Sequence, residues 1–70
     1  MRTNAGYTIT HSCVIHLNRE VVLGRGSGNR YVTWLCDDGD NYYWGHYFDN
    51  YKEALADFGE RITNEANITL

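Results

Sequence analysis

The hydrophobic period of this 70-residue chain changes once, near residue 50. That change constrains the fold more than any motif does. Before it, apolar and β-branched residues alternate with period two, the pattern of half-buried strands. After it they recur at three and four residues, the pattern of an amphipathic helix. From Tyr7 to Leu17, the residues Tyr7, Ile9, His11, Cys13, Ile15 and Leu17 share one face, and Thr8, Thr10, Ser12, Val14 and His16 the other. Asn18-Arg19 reads as a tight turn, and Glu20 to Gly24 as the returning strand. A glycine-rich loop, Gly24 to Arg30, leads to a third strand, Tyr31 to Cys36. Asp37-Asp38-Gly39-Asp40 then turns the chain into a fourth, Asn41 to Phe48, because Asp-Gly between apolar runs is the strongest short hairpin signal. On this last strand Tyr42, Trp44, His46 and Phe48 are expected on one side, with Tyr43, Gly45 and Tyr47 on the other.

Beyond residue 50, Tyr51, Leu55, Phe58 and Ile62 form the apolar stripe, flanked by Ala54 and Ala66. Asp49 or Asn50 supplies the N-cap, and Asn50 with Glu53 resembles a capping box. Gly59 in a helix interior costs ~1 kcal/mol, so close packing of the helix on the sheet is expected there. The helix ends at Asn64 or Asn67. The reading is a single α+β domain over 1–70, a four-stranded antiparallel sheet followed by one C-terminal helix on one face (ββββα). Residues 1–6 are expected to be flexible and 67–70 to form a tail.

One helix covers one face of such a sheet, yet the third and fourth strands carry large groups on both. The aromatic content is 14 %, with two Trp and six Tyr. Either Trp34, Tyr42, Trp44 and Tyr47 include an exposed patch, which marks an interaction site, or the N-terminal segment or glycine-rich loop folds over the second face. Tyr, Trp and Arg dominate interface hot spots, which favours the interaction reading.

Composition excludes other classes. A hydrophobic content of 43 % with this many aromatics rules out a disordered chain. No run approaches the ~20 apolar residues of a membrane span, so no membrane association is expected. Met1 to Tyr7 is polar and no apolar h-region follows, so the expected location is the cytoplasm. Cys13 and Cys36 are expected to be reduced thiols there, a Cys13–Cys36 bridge being the alternative.

The net charge of −3 is unevenly distributed. Residues 1–36 carry four arginines against Glu20, a net of +3; residues 37–70 carry eight carboxylates against Lys52 and Arg61, a net of −6. An acidic chain is a poor general nucleic-acid binder, since that affinity comes from neutralising phosphates. Direct binding of nucleic acid is therefore not expected. A dipolar one suits a protein partner, because complementary charge steers encounter.

No catalytic or cofactor signature emerges. Gly24 to Arg30 precedes a strand, where a phosphate loop or dinucleotide fingerprint precedes a helix. His11, Cys13, His16, Cys36 and His46 lack the paired turn spacing of a zinc site. Asp37, Asp38 and Asp40 lack the further ligands of an EF-hand. A cysteine–histidine nucleophile needs a pocket that a domain of this size seldom forms. The expectation is a non-enzyme without cofactor or metal.

Two surfaces remain as partner-binding candidates. Asp49, Glu53, Asp57 and Glu60 form an acidic stripe on the helix, which Asp37, Asp38 and Asp40 extend. Carboxylates spaced along a rigid rod can occupy a groove built for phosphates. The second candidate combines the aromatics Trp34, Tyr42, Trp44 and Tyr47 with Arg25 and Arg30.

The stretches Tyr31-Val32-Thr33-Trp34-Leu35-Cys36 and Gly39-Asp40-Asn41-Tyr42-Tyr43-Trp44-Gly45-His46-Tyr47-Phe48, followed by Ala54-Leu55-Ala56-Asp57-Phe58, resemble a group of small accessory proteins of phages and mobile elements in Gram-positive bacteria. The resemblance covers roughly residues 7–62. It implies an accessory or antidefence role of the anti-CRISPR type and carries over no site residue. The resulting expectation is an inhibitor of a CRISPR-associated or other nuclease, acting through a partly nucleic-acid-mimicking surface. Two alternatives are a single-stranded nucleic-acid binder that stacks bases on Tyr31, Tyr42 and Trp44 with Arg25 and Arg30 on phosphates, and a homodimer formed through the sheet face.

Overall fold

In a computed structural model, which describes residues 1–66, the chain is α+β with the expected C-terminal helix. The antiparallel sheet has five strands in sequential order rather than four: β1 (Thr3–Asn4), β2 (Tyr7–His16), β3 (Arg19–Arg25), β4 (Tyr31–Asp37) and β5 (Asn41–Phe48). The helix, α1, spans Tyr51–Ala66. The additional strand comes from residues 1–6, through a two-residue turn at Ala5-Gly6 with φ of 53° and 85°. The same geometry closes the β4–β5 hairpin, where Asp38 and Gly39 have φ of 59° and 80°. Both turns place two residues in the left-handed region, which matches the twist of the flanking strands. The expected tail 67–70 lies outside the described residues.

Three irregularities on the outer strands decide which side chains share a face. In β2, Ile9 opposes Gly24 and His11 opposes Leu23, so Thr10 is an extra residue; Ile15 is another, between Val14 and His16. In β5, Thr33 opposes His46 and Leu35 opposes Tyr43, so two residues, Trp44 and Gly45, face Trp34. Each bulge shifts every later side chain to the other face. The expected alternations of β2 and β5 are therefore broken. Tyr7 and Ile9 lie on one face while His11 and Cys13 lie on the other. Tyr42 and Tyr47 share a face, opposite Tyr43 and His46.

Bulges also bend strands, and this sheet is curled. In a flat sheet β2 and β5 would be about 14 Å apart, three spacings of ~4.8 Å; the rings of Tyr7 and Tyr47 lie 6.2 Å apart. The inner face so enclosed holds Tyr7, Val22, Val32, Trp34 and Cys36, with Ile9 and Tyr42 packed against them. Its mouth is closed by both segments named above. Arg2 of the N-terminal segment pairs with Glu20 through both guanidinium nitrogens, at 2.7 and 3.0 Å, and stacks over Tyr42. At the other end Arg30 stacks over Tyr7, and Gly26 lies against the same ring.

The helix covers the opposite face, over Val21, Leu23, Thr33 and Leu35. Asn50 caps it, accepting a hydrogen bond from the Glu53 amide at 3.0 Å. Its seating differs from the expected one. The residues it buries are Ala54 and Arg61, while Tyr51 and Leu55 of the apolar stripe stay exposed. The hydrogen bonds of Arg61 and Asp57 to β4 and β5, described below, turn the helix toward that side of the sheet. Gly59 is exposed and a methyl there would touch nothing, so it marks no close packing. Cys13 and Cys36 occupy opposite faces, and both thiols are free.

Candidate interaction surface

The helix face of the sheet has a polar centre. Arg61, 7 % exposed, donates from Nη1 to the Thr33 carbonyl at 3.0 Å and to Thr33 Oγ1 at 3.1 Å, and from Nη2 to the Trp44 carbonyl at 2.6 Å. Thr33 Oγ1 in turn donates to Asp57 Oδ2 at 2.6 Å, and Nδ1 of His46 lies 3.0 Å from the same carboxylate oxygen. Burial pulls the Arg61 guanidinium below its ordinary pKa, against the opposing pull of Asp57 and Glu65. The network is complete: no described buried side-chain polar atom lacks a partner.

What the network holds is the β5 bulge. Trp44 has φ of 56°, the left-handed region, where a bulky side chain costs roughly 1–3 kcal/mol. Its carbonyl is bound by Arg61 and its indole is 67 % exposed, touching the Tyr43 ring edge-on at 5.3 Å. The bulge has no room for a larger second residue. A Cβ on Gly45 would lie 2.8 Å from Trp34 Nε1.

The sequence-derived site residues separate on this framework. Trp34 is 4 % exposed and belongs to the inner core, so it offers no surface. Tyr42 is covered by Arg2 and packs against Trp34 at 5.3 Å. Trp44 and Tyr47 remain exposed on β5, an outer strand. Arg25 and Arg30 lie at the glycine-loop end, Arg30 already stacked on Tyr7.

The carboxylates divide in the same way. Asp37 is bound by Arg19 at 2.7 and 3.0 Å and by the Tyr43 hydroxyl at 2.9 Å, and the Arg19 hydrogen bonds hold its carboxyl below the usual range. Asp57 is turned into the helix–sheet network. Asp38 and Asp40 are exposed at the β4–β5 turn, away from the helix N-terminus. Asp49, Glu53 and Glu60 are exposed, and share the β5 side of the helix with Asp57 by their spacing. None of these five exposed carboxylates is in an ion pair with a described residue. Asp49 and Glu53 border an open groove of about 410 Å³ with Tyr7, Arg30, Tyr47 and Phe48.

Tyr31 lies on the helix face against Tyr51 at 5.5 Å, Tyr42 on the inner face, and Trp44 on the bulge, so the three rings form no common stacking platform. The five His and Cys side chains considered for zinc are likewise dispersed: His11 and Cys13 lie on the helix face, Cys36 on the inner one. No described helix is long and apolar enough to cross a membrane.

Arg61, Thr33 and His46 were not foreseen as site residues. A lone arginine beside a helix stripe reads as a solvated group, and no spacing in the sequence distinguishes it from one. No known protein family, curated protein or solved structure matches this chain.

Proposed function

We propose that this chain is a non-catalytic protein-binding module, an inhibitor that docks its β5–α1 flank on a basic groove of a nucleic-acid-handling bacterial enzyme. The observation that carries this reading is Trp44. A large apolar side chain exposed on strained backbone, and held there by a buried arginine, contributes little to folding. Strain of this kind persists where function uses it, and tryptophan is the residue type most enriched at binding hot spots. The unpaired carboxylates Asp49, Glu53 and Glu60, on the β5 side of the helix, supply a field complementary to a phosphate-binding groove. Asp38 and Asp40 extend that field at the turn. The resemblance to phage and mobile-element accessory proteins is consistent with a nuclease of a defence system as the target.

The test is titration of the protein against purified CRISPR-associated nucleases in a DNA-cleavage assay. Trp44→Ala is expected to raise the inhibitory concentration by about 30-fold or more, the size of a ~2 kcal/mol hot spot. Neutralising Asp49, Glu53 and Glu60 together should slow association and remove its salt dependence. Inhibition that survives both changes overturns the reading. Micromolar binding to single-stranded DNA with a steep salt slope would favour the nucleic-acid alternative instead.

A further inference from the structure

The other flank of the molecule carries a second concentration of exposed apolar groups. Val14 is 71 % exposed and Leu17 92 % exposed, at the end of β2 and in the turn that follows it. The stripe residues Tyr51 and Leu55, left uncovered by the seating of the helix, lie toward β2 on the helix face, because His11 of β2 contacts both Tyr51 and Phe58, whereas Val14, opposite Glu20, lies on the inner face. Between them β2 is an open edge. Strand β1 pairs only with Tyr7 and Thr8, and the Ile9 amide reaches the Arg2 carbonyl; from Thr10 to His16 the outer edge has no described strand partner.

Native proteins protect such edges with charge, proline or bulges. From Tyr7 to His16 this strand contains no Asp, Glu, Lys, Arg or Pro. The bulges at Thr10 and Ile15 leave His11 to Val14 in regular register. A free edge of unpaired amides and carbonyls is satisfied by another extended strand. Its uncharged sequence opposes itself without like-charge repulsion. With Cys13 on the two-fold axis, Val14 would meet Ser12 and Ile15 would meet His11, all neutral pairs.

We propose that β2 is a self-association edge: two copies pair antiparallel along Thr10–His16, extending the sheet and covering Val14 on its inner face and the Tyr51–Leu55 row on its helix face. The pairing is closed. A two-fold contact uses the same patch on both copies, and the opposite edge, β5, is interrupted at its middle by the Trp44–Gly45 bulge. The proposal is independent of the inhibitor reading, which uses the other flank.

Sedimentation of the wild-type chain at increasing concentration tests it, with 8.1 kDa for one copy. The expected result is a monomer–dimer equilibrium that Val14→Lys shifts to monomer, with an unchanged circular dichroism spectrum because Val14 is exposed. A short bismaleimide should link two copies through Cys13, and Cys13→Ser should abolish the link, since Cys36 is buried. Trp44→Ala should leave the dimer intact. A wild-type monomer at several hundred micromolar overturns the proposal, as does a dimer unaffected by Val14→Lys or growth of open filaments.

Discussion

The two faces of this sheet are closed by different means. The inner face is closed by curvature, with an apolar core of Tyr7, Val22, Val32, Trp34 and Cys36 and an arginine over an aromatic ring at each end. The helix face has valine and leucine beneath it, but its centre is Arg61, Thr33, Asp57 and His46. Apolar burial is non-directional, so the inner face can stabilise the domain without fixing any one group in space. A buried hydrogen-bonded network is directional. It is seldom the more stabilising choice over an apolar core, but it aims what it holds, and here it holds the backbone of Trp44. The two tryptophans face each other across the bulge and represent the two regions: Trp34 is core, and Trp44 is display.

The largest expected effect lies on the inner face. Trp34→Ala should cost about 3–5 kcal/mol, as truncations of large core aromatics do, measured as a fall in the urea midpoint. A loss below ~1 kcal/mol would mean that the inner face is not the main core.

Next comes the polar network. Arg61→Met should cost roughly 2–4 kcal/mol, because it leaves the Thr33 and Trp44 carbonyls without their donor. The indole N–H resonances separate the two regions. That of Trp44 should move toward its random-coil position while that of Trp34 stays in place. If both move together, the faces are not independent.

The closure by Arg2 is smaller and depends on pH. The Arg2 hydrogen bonds hold the Glu20 carboxyl below its ordinary value of 4.5. A carboxylate whose folded pKa is depressed adds stability above its unfolded value and loses it as pH falls through the folded one. Arg2→Ala should therefore cost about 1 kcal/mol or less near neutrality, as expected of a partly exposed pair. That difference from wild type should begin to shrink as pH falls below 4.5 and vanish once Glu20 is protonated in the folded state as well. A difference independent of pH would assign the effect of Arg2 to its stacking on Tyr42.

The sequence carried most of this architecture and less of its surface. Period two, Asp38-Gly39 and the Asn50 cap all act locally, so the β3–β5 meander and the helix start were legible in it. Strand β1 was not, because a two-residue strand has no measurable period. The bulges at Thr10, Ile15 and Trp44 were hidden for a related reason: an inserted residue resembles its neighbours until the partner strand is in place. That is why the alternation assigned Trp44 and His46 to one face with Tyr42. The seating of the helix was equally hidden. Tyr51, Leu55, Phe58 and Ile62 form the more apolar stripe, and only the contacts of Arg61 and Asp57 turn another line of residues inward. The acidic candidates split according to whether an arginine, a threonine or a histidine lay within reach, as for Asp37 and Asp57. Pairing of that kind is a property of the folded chain.

The central claim is that Trp44 is presented rather than packed, and the unfolding free energy of Trp44→Gly tests it most directly. Glycine removes the strain of the left-handed backbone, roughly 1–3 kcal/mol, and loses an edge-on contact with Tyr43 of about 0.5–1.5 kcal/mol. The predicted result is a protein as stable as wild type to within ~1 kcal/mol, or more stable. A loss of 3 kcal/mol or more, like that of a core tryptophan, would contradict the account.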